Sequence, residues 1–371
     1  MTATTAPAAE ALAATVLART RELAQIPAPT GAEQDRAAVV RGWWDADGWA
    51  PRTDEAGNVW GQAVAGPGEA VLICAHLDTV FGPDVPHVVH ENPGRLCGPS
   101  VADDSVAVAA LSAVASLLAA AGHGPVWLVA TVGEEGMGNL AGITHALAHP
   151  PQPVAAVIAV EGNYLGRVVN TGVGSIRWRV RYEGPGGHAW ERSAAPSAVH
   201  AAARAAAQVS GLTLAGARFS VNIGSIGGGE AINARARTAW FELDMRADTM
   251  PALQHLADRA SRIIAEAGRG LSARVEELGT RPAGSIPQTS PLAAAAAAAL
   301  AHAGVGCRFG ASSTDANAAH AAGIPAVALG VTYGEGEHTP SEWITTAPVP
   351  GGLAALADTI RRFQVAGEGL A

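Results

Sequence analysis

The sequence predicts an α/β protein in which a parallel sheet flanked by helices is interrupted by an α+β insert. Three observations carry that reading. Residues 71–75, 126–131 and 155–160 are short continuous apolar runs, the texture of strands buried on both faces of a parallel sheet. An Ala/Leu-rich helical stretch at residues 106–121 separates the first two, and a β-α-β unit implies parallel strands. From about residue 174 the texture changes. Ser175-Ile176-Arg177-Trp178-Arg179-Val180-Arg181 and Trp240-Phe241-Glu242-Leu243-Asp244-Met245-Arg246 alternate polar with apolar, as strands with one wet face do.

The remaining elements follow in order. A flexible Thr/Ala leader precedes a helix at about residues 8–25, which the prolines of Ile26-Pro27-Ala28-Pro29 end. After the insert at about 174–283 the pattern returns to a helix at 291–303 and a buried strand at 325–329. The expected organisation is residues 1–173, an insert at 174–283, and 284–371, with no internal repeat. A chain of 371 residues corresponds to two or three domains at ~150 residues each.

Composition narrows the function classes. Hydrophobic residues are 49% and charged residues 15%, which excludes a disordered chain or a long solvated helix. The net charge of -9 argues against nucleic acid as a partner, and the chain contains no Lys, so Arg supplies every fixed positive charge. Cys74, Cys97 and Cys307 contain no CxxC pair and make no disulfide framework. No stretch reaches ~20 strongly apolar residues, the length of a membrane span. The N-terminal apolar run lacks a basic n-region and is interrupted by Glu10, so no signal peptide is expected. A soluble cytoplasmic protein that leaves membranes alone is the resulting expectation.

Chemistry gathers at the predicted strand ends. His76-Leu77-Asp78-Thr79 follows the first apolar strand, where ligands of open parallel sheets collect. Asp103-Asp104 opens the next helix, a place where carboxylates also serve as ordinary helix-dipole partners. Glu134-Glu135 follows the second strand beyond Gly133, and adjacent carboxylates are costly unless a cation or proton holds them. Glu161 ends the third strand, and Glu337-His338-Thr339-Pro340 follows the last. Each position alone has a bland structural reading. Two histidines and several carboxylates at one sheet edge together read as a metal site.

These motifs resemble the M20 family of co-catalytic metallopeptidases, which includes acetylornithine deacetylase, succinyl-diaminopimelate desuccinylase, carboxypeptidase G2-like enzymes and tripeptidase and dipeptidase branches. The resemblance spans about residues 15–365. Its carriers are His76-Leu77-Asp78-Thr79-Val80, Gly98-Pro99-Ser100-Val101-Ala102-Asp103-Asp104, Gly133-Glu134-Glu135-Gly136, Val160-Glu161-Gly162 and Glu337-His338-Thr339-Pro340. It implies a catalytic domain with a mixed, largely parallel sheet and an inserted lid or dimerisation domain. It further implies two divalent metal ions per chain, one on His76 and Glu161, the other on Glu135 and His338, with Asp103 bridging. Imidazole and carboxylate suit Zn²⁺, and Co²⁺ or Mn²⁺ fit the same donors. By the same resemblance Asp78 orients His76 and Glu134 is the general base.

The insert extends the likeness. Gly184-Pro185-Gly186-Gly187-His188-Ala189 resembles the lid loop whose His stabilises the oxyanion, in dimeric relatives from the partner subunit. Gly227-Gly228-Gly229-Glu230-Ala231-Ile232-Asn233 resembles the motif whose Asn holds substrate, and Asp244-Met245-Arg246 the strand whose Arg takes a substrate carboxylate. Residues 310–317 resemble a substrate-proximal loop without an assigned role. Two departures bear on the substrate. The usual Asp-x-Lys-Gly-Gly is here Asp103-Asp104-Ser105-Val106-Ala107, and Glu161 stands where many relatives carry Asp. The resemblance thus implies hydrolysis of a small peptide or aminoacyl-amino-acid amide. Its alternatives are an N-acyl-amino-acid deacylase and an enzyme releasing an amino acid from a carrier protein or peptide tail. A non-catalytic binding module would have lost a ligand or Glu134, and none is lost.

Other conspicuous residues read as structural. Trp43, Trp44, Trp60 and Trp127 are expected to pack, Cys74 and Cys97 to act as small hydrophobes, and His87, His90 and His123 to be solvated.

Overall fold

A computed structural model describes residues 5–120, 124–190, 195–213 and 218–368. The first four residues of the expected leader, Ala121 of the expected helix, and His123 lie outside the described residues. The chain divides into two compact units, one of residues 1–172 and 285–371, the other of Val173–Gly284.

The first unit begins with α1 (Thr5–Ala24), α2 (Gln34–Ala46), β1 (Val59–Val64) and β2 (Ala70–His76). It continues through α3 (Val106–Ala119), β3 (Val126–Thr131), α4 (Ala141–Ala148), β4 (Val154–Val160) and β5 (Arg167–Gly172). The second unit holds β6 (Gly174–Glu183), α5 (Ala198–Ser210), β7 (Phe219–Gly228), β8 (Thr238–Ala247), α6 (Met250–Ala267) and β9 (Ser272–Arg281). The chain then returns to the first unit with α7 (Pro291–His302), β10 (Arg308–Ser312), α8 (Ala316–Ala321), β11 (Ala326–Leu329) and α9 (Val349–Glu368).

The large sheet runs in the order β1-β3-β2-β4-β11-β5, with β10 paired to β5. β2 is parallel to β3 and β4, and β11 is parallel to β4, while β1 is antiparallel to β3. The sheet is therefore mixed and largely parallel. All seven residues of β2 are buried because helices cover both faces. Successive side chains take opposite faces. Val71, Ile73 and Ala75 join the core built from α1, α3, α7 and α9, whereas Leu72 and Cys74 join the one built from α4 and α8.

α3 corrects one expectation. With its preceding turn it forms an apolar helix, Val101–Ala119, long enough by length and composition to cross a membrane. The apolar window is 89% buried, so this is the central core helix, apolar all round because the sheet, α1 and α9 surround it.

The second unit is an antiparallel sheet in the order β7-β8-β6-β9, with α5 and α6 packed on one face. Along β8, Ala239, Phe241, Leu243, Met245 and Ala247 are buried, and the residues between them are half-buried. The alternation of the sequence is thus one face against helices and one face left wetter.

Trp44 and Trp60 are buried, and Trp43 and Trp127 pack at the margins of the cores. Cys74 is buried in β2 and Cys97 half-buried. His90 is exposed. His87 departs from the solvated reading: it is half-buried, with Nδ1 3.2 Å from the Ala24 carbonyl oxygen and Nε2 3.1 Å from that of Gly82.

Candidate metal centre

Three parallel strands deliver their C-terminal ends to one place. β2 ends at His76, β3 runs into Gly133-Glu134-Glu135, and β4 runs into Glu161. His76, Glu134, Glu135 and Glu161 are all buried.

The segment before α3 does not open the helix in the ordinary way. Ser100 takes a left-handed φ of 59°, and Asp103 (φ -124°, ψ 88°) and Asp104 (φ -134°, ψ 29°) are not helical. A cis peptide joins the two aspartates. Neither aspartate sits in a regular helical turn, and each carboxylate is engaged elsewhere. Asp104 is fully buried, accepting the His76 N–H at 3.2 Å and the Gly162 N–H at 2.9 Å. It ties the end of β2 to the end of β4. Asp103 instead offers its carboxylate to two imidazoles, Oδ1 at 2.9 Å from His76 Nε2 and Oδ2 at 3.2 Å from His338 Nε2.

The glutamate turn is braced from behind. Gly133 has a φ of 67°, which a residue without Cβ adopts freely. Asp78 accepts the N–H groups of Glu134 and Glu135 at 2.9 and 2.8 Å, and the Thr30 hydroxyl donates to it at 2.8 Å. Glu33 accepts the Gly133 N–H at 3.2 Å. His76 Nδ1 donates to the Asp78 carbonyl oxygen at 2.9 Å, closer than the 3.6 Å to that residue's carboxylate. Asp78 therefore orients His76 through its backbone and the Glu pair through its side chain. His338, at a φ of 64° on an exposed loop, sets Nε2 3.1 Å from Glu135 Oε1.

The electrostatics are those of a cation site. Burial and the Asp103 charge push Asp104 well above the usual carboxylate range, and burial together with Asp104 does the same to Glu161. Burial works to lower His76, but the carboxylates of Asp104, Asp103 and Asp78 outweigh it and raise the imidazole. Asp103 and Glu135 raise His338 to about 10. Carboxylates crowded in low dielectric, with imidazoles among them, are relieved by a bound divalent cation.

The donors fit such an ion. His76, Asp103 and Glu161 bring ligand atoms within 4.8 Å of one another, and so do Asp103, Glu135 and His338. Asp103 is common to both sets. A third set, His76 with Glu134 and Glu135, meets the same distance, so Glu134 lies within reach of donors as well. Nitrogen and oxygen donors of this kind suit borderline metals such as Zn²⁺.

Several residues of the site carry no signal in the sequence. Arg36 is fully buried, donating to Ser100 Oγ at 2.6 Å and to the carbonyls of Leu77 and Ile26 at 3.1 and 2.8 Å. Burial lowers it to about 10 against the pull of Asp78, Glu342 and Asp104, so it stays a cation beneath the carboxylates. Glu342 is buried and accepts the N–H groups of Ala102 and Asp103 at 3.0 and 3.4 Å. Burial, and then Asp103, pushes it up to about 8. Asn163 donates to Glu337 beside the His338 loop. An isolated Arg or Glu in a helix or loop gives no hint of such a partner.

The three remaining candidates belong to the second unit. His188 and Asn233 are exposed neighbours: Gly187–His188 pairs with Ala234–Arg235, and the Ala189 N–H donates to the Asn233 carbonyl at 2.9 Å. Arg246 is not with them. It sits at the far end of β8, opposite Ser175 and Ser220, with Nε donating to Asp244 at 2.9 Å.

Known proteins share this architecture. The chain superposes on a tripeptidase from Staphylococcus aureus with a TM-score of 0.82 and 21% identity, covering 95% of this chain and 99% of that one. The aminopeptidase PepT from Bacillus cereus gives 0.79 and 20%, covering 95% and 98%. The YxeP protein of Bacillus subtilis, described as a dinuclear metal-binding peptidase from the M20 family, gives 0.71 and 17%, covering 95% and 98%. No curated protein matches the chain significantly in sequence. The sequence profile of peptidase family M20/M25/M40 matches residues 72–362, a span that contains every metal-donor candidate. The chain belongs to peptidase family M20/M25/M40 and is a hydrolase acting on amide bonds.

Proposed function

We propose that the chain is a binuclear, zinc-dependent hydrolase of small peptides or aminoacyl-amino-acid amides. The observation that carries the reading is Asp103, which joins the donor set of His76 and Glu161 to the donor set of Glu135 and His338. His76 and Glu161 would hold one ion, Glu135 and His338 the other, with Asp103 between them. When bound, the ions supply Lewis acidity and lower the pKa of water.

The protein's own groups do the rest. Glu134 takes the proton of the attacking water and delivers it to the leaving amine nitrogen, the work of a general base turned acid. Asp104 and Asp78 keep the strand ends and the glutamate turn in register, which holds Glu134 in place beside the donors. From a lid formed by residues 174–283, His188 donates to the oxyanion, Asn233 holds the substrate and Arg246 binds its carboxylate. His188 and Asn233 are neighbours and Arg246 lies at the other end of β8. The dimeric relatives, in which the lid His comes from the partner subunit, are the support for a homodimer.

Peptides are preferred over N-acyl amino acids because the Asp103-Asp104 variant and Glu161 match peptide-cleaving branches. The names of the tripeptidase and aminopeptidase neighbours lean the same way. The deacylase and carrier-tail readings use the same donors. The deciding experiment combines elemental analysis with a panel of dipeptides, tripeptides and N-acyl amino acids, read by released amine. About two metal ions per chain and turnover of peptides support the proposal. Turnover confined to N-acyl amino acids transfers it to the deacylase reading, and protein that takes up no metal ends it.

A further inference from the structure

The edge of the first unit's sheet carries a cavity of about 450 Å³ that none of the five metal-donor candidates lines. Arg167 and Arg308 are part of its wall. They begin the neighbouring parallel strands β5 and β10 and stand opposite each other in register. Registered side chains of adjacent strands leave on the same face, and like charges placed so are destabilising. Neither arginine is relieved by an acidic group: among the described residues neither forms an ion pair. Arg167 instead rests its guanidinium 4.8 Å from the centre of the Tyr164 ring. Glu335, the one carboxylate of the lining, pairs with neither. Trp343, also in the wall, carries the Arg95 guanidinium 3.7 Å from its ring centre. In a chain with a net charge of -9, two registered arginines in the wall of one cavity run against the overall balance.

We propose that this cavity binds a small multivalent oxyanion, of the phosphate or carboxylate class, bridged between Arg167 and Arg308. Guanidinium forks present paired N–H donors to such oxygens, and a bridging anion removes the like-charge cost. The walls also include Gly334, Glu335 and Trp343, which belong to the short strands entering and leaving the His338 loop. A ligand here rests against both stems of that loop. The site takes its anion whether or not the hydrolysis reading holds.

The test is calorimetric titration of the metal-loaded protein with inorganic phosphate and, separately, with succinate. Amide hydrogen exchange locates the anion. Saturable binding of one or both, with a Kd of about 1 mM or tighter, is expected. Exposed Arg308 tolerates replacement, and Arg308→Gln should weaken binding about tenfold or more, as should Arg167→Gln. Exchange should slow at residues 306–308 and 333–335. The anion that binds more tightly identifies its class. Absence of binding by both anions, affinity unchanged in both variants, or protection confined to the metal donors overturns the proposal.

Discussion

The Asp78 carboxylate accepts the backbone N–H of Glu134 at 2.9 Å, while the Asp78 carbonyl receives His76 Nδ1 at 2.9 Å. One residue thus aligns a donor at the end of β2 with the carboxylate turn after β3. Its second carboxylate oxygen, held by Glu135 N–H and the Thr30 hydroxyl, leaves it little freedom to swing away.

Asp78→Ala should therefore loosen both sides at once. Metal affinity is expected to fall ~10–100-fold, the usual cost of losing a group that orients ligands. Asp78→Asn keeps the shape and can still accept one N–H, so its loss should be smaller. Competition against a chelator measures both, and equal affinity for Asp78→Ala and the wild type would contradict the bracing role.

The glutamate pair separates by experiment. Glu134→Gln should retain its metals and lose ~10²–10⁴ in kcat, the range for a missing general base. Glu135→Ala should lose metal, because Glu135 reaches toward Asp103 and His338. Glu134 also lies within reach of His76 and Glu135. Metal content measured on both variants assigns the roles, and a reversed pattern would exchange them.

Subunit mixing tests the lid. His188→Ala should lower kcat by ~10²-fold or more at unchanged metal content. Arg246→Ala should chiefly raise KM for substrates with a free carboxylate. If His188 acts across a dimer, mixed dimers of His188→Ala and Glu134→Gln subunits recover part of the activity, since one of their two sites is intact. Demonstrably mixed dimers without recovery would confine His188 to its own chain.

Acid stability should depend on His320. Among the described residues its buried Nε2 has no hydrogen-bond partner, and burial lowers the imidazole to about 4. The unfolded chain binds the proton near pH ~6.5. Stability from the neutral ring is therefore complete above that pH and is lost as pH falls toward 4, at no more than about 1.4 kcal/mol per pH unit. Denaturant melts of wild type and His320→Gln between pH 7 and 4 should show a shallower loss in the variant. Parallel curves would refute the assignment.

The sequence by itself determined the parts whose cause is local. Continuous apolar runs placed β2, β3 and β4, because a strand covered on both faces has no polar position. The polar-apolar alternation of β6 and β8 marked a sheet with one covered face. His76, Glu134, Glu135 and Glu161 were readable because they directly follow those strands, and the ends of parallel strands converge. Tertiary structure decided the rest. Asp103 and Asp104 read as helix-opening carboxylates, and only the non-helical turn before α3 sends one to the imidazoles and the other to the backbone of β2 and β4. Glu135 meets His338 across 203 residues, and Glu342 reaches the Ala102 amide across 240. Arg36 beneath the carboxylates and Asp78 behind the glutamate turn are partners of the same long-range kind. Such pairings depend on which chain ends the fold brings together, and no periodicity or spacing encodes them. The apolar helix α3 makes the same point: its composition suits lipid or a protein core equally, and only packing against the sheet, α1 and α9 puts it in the core.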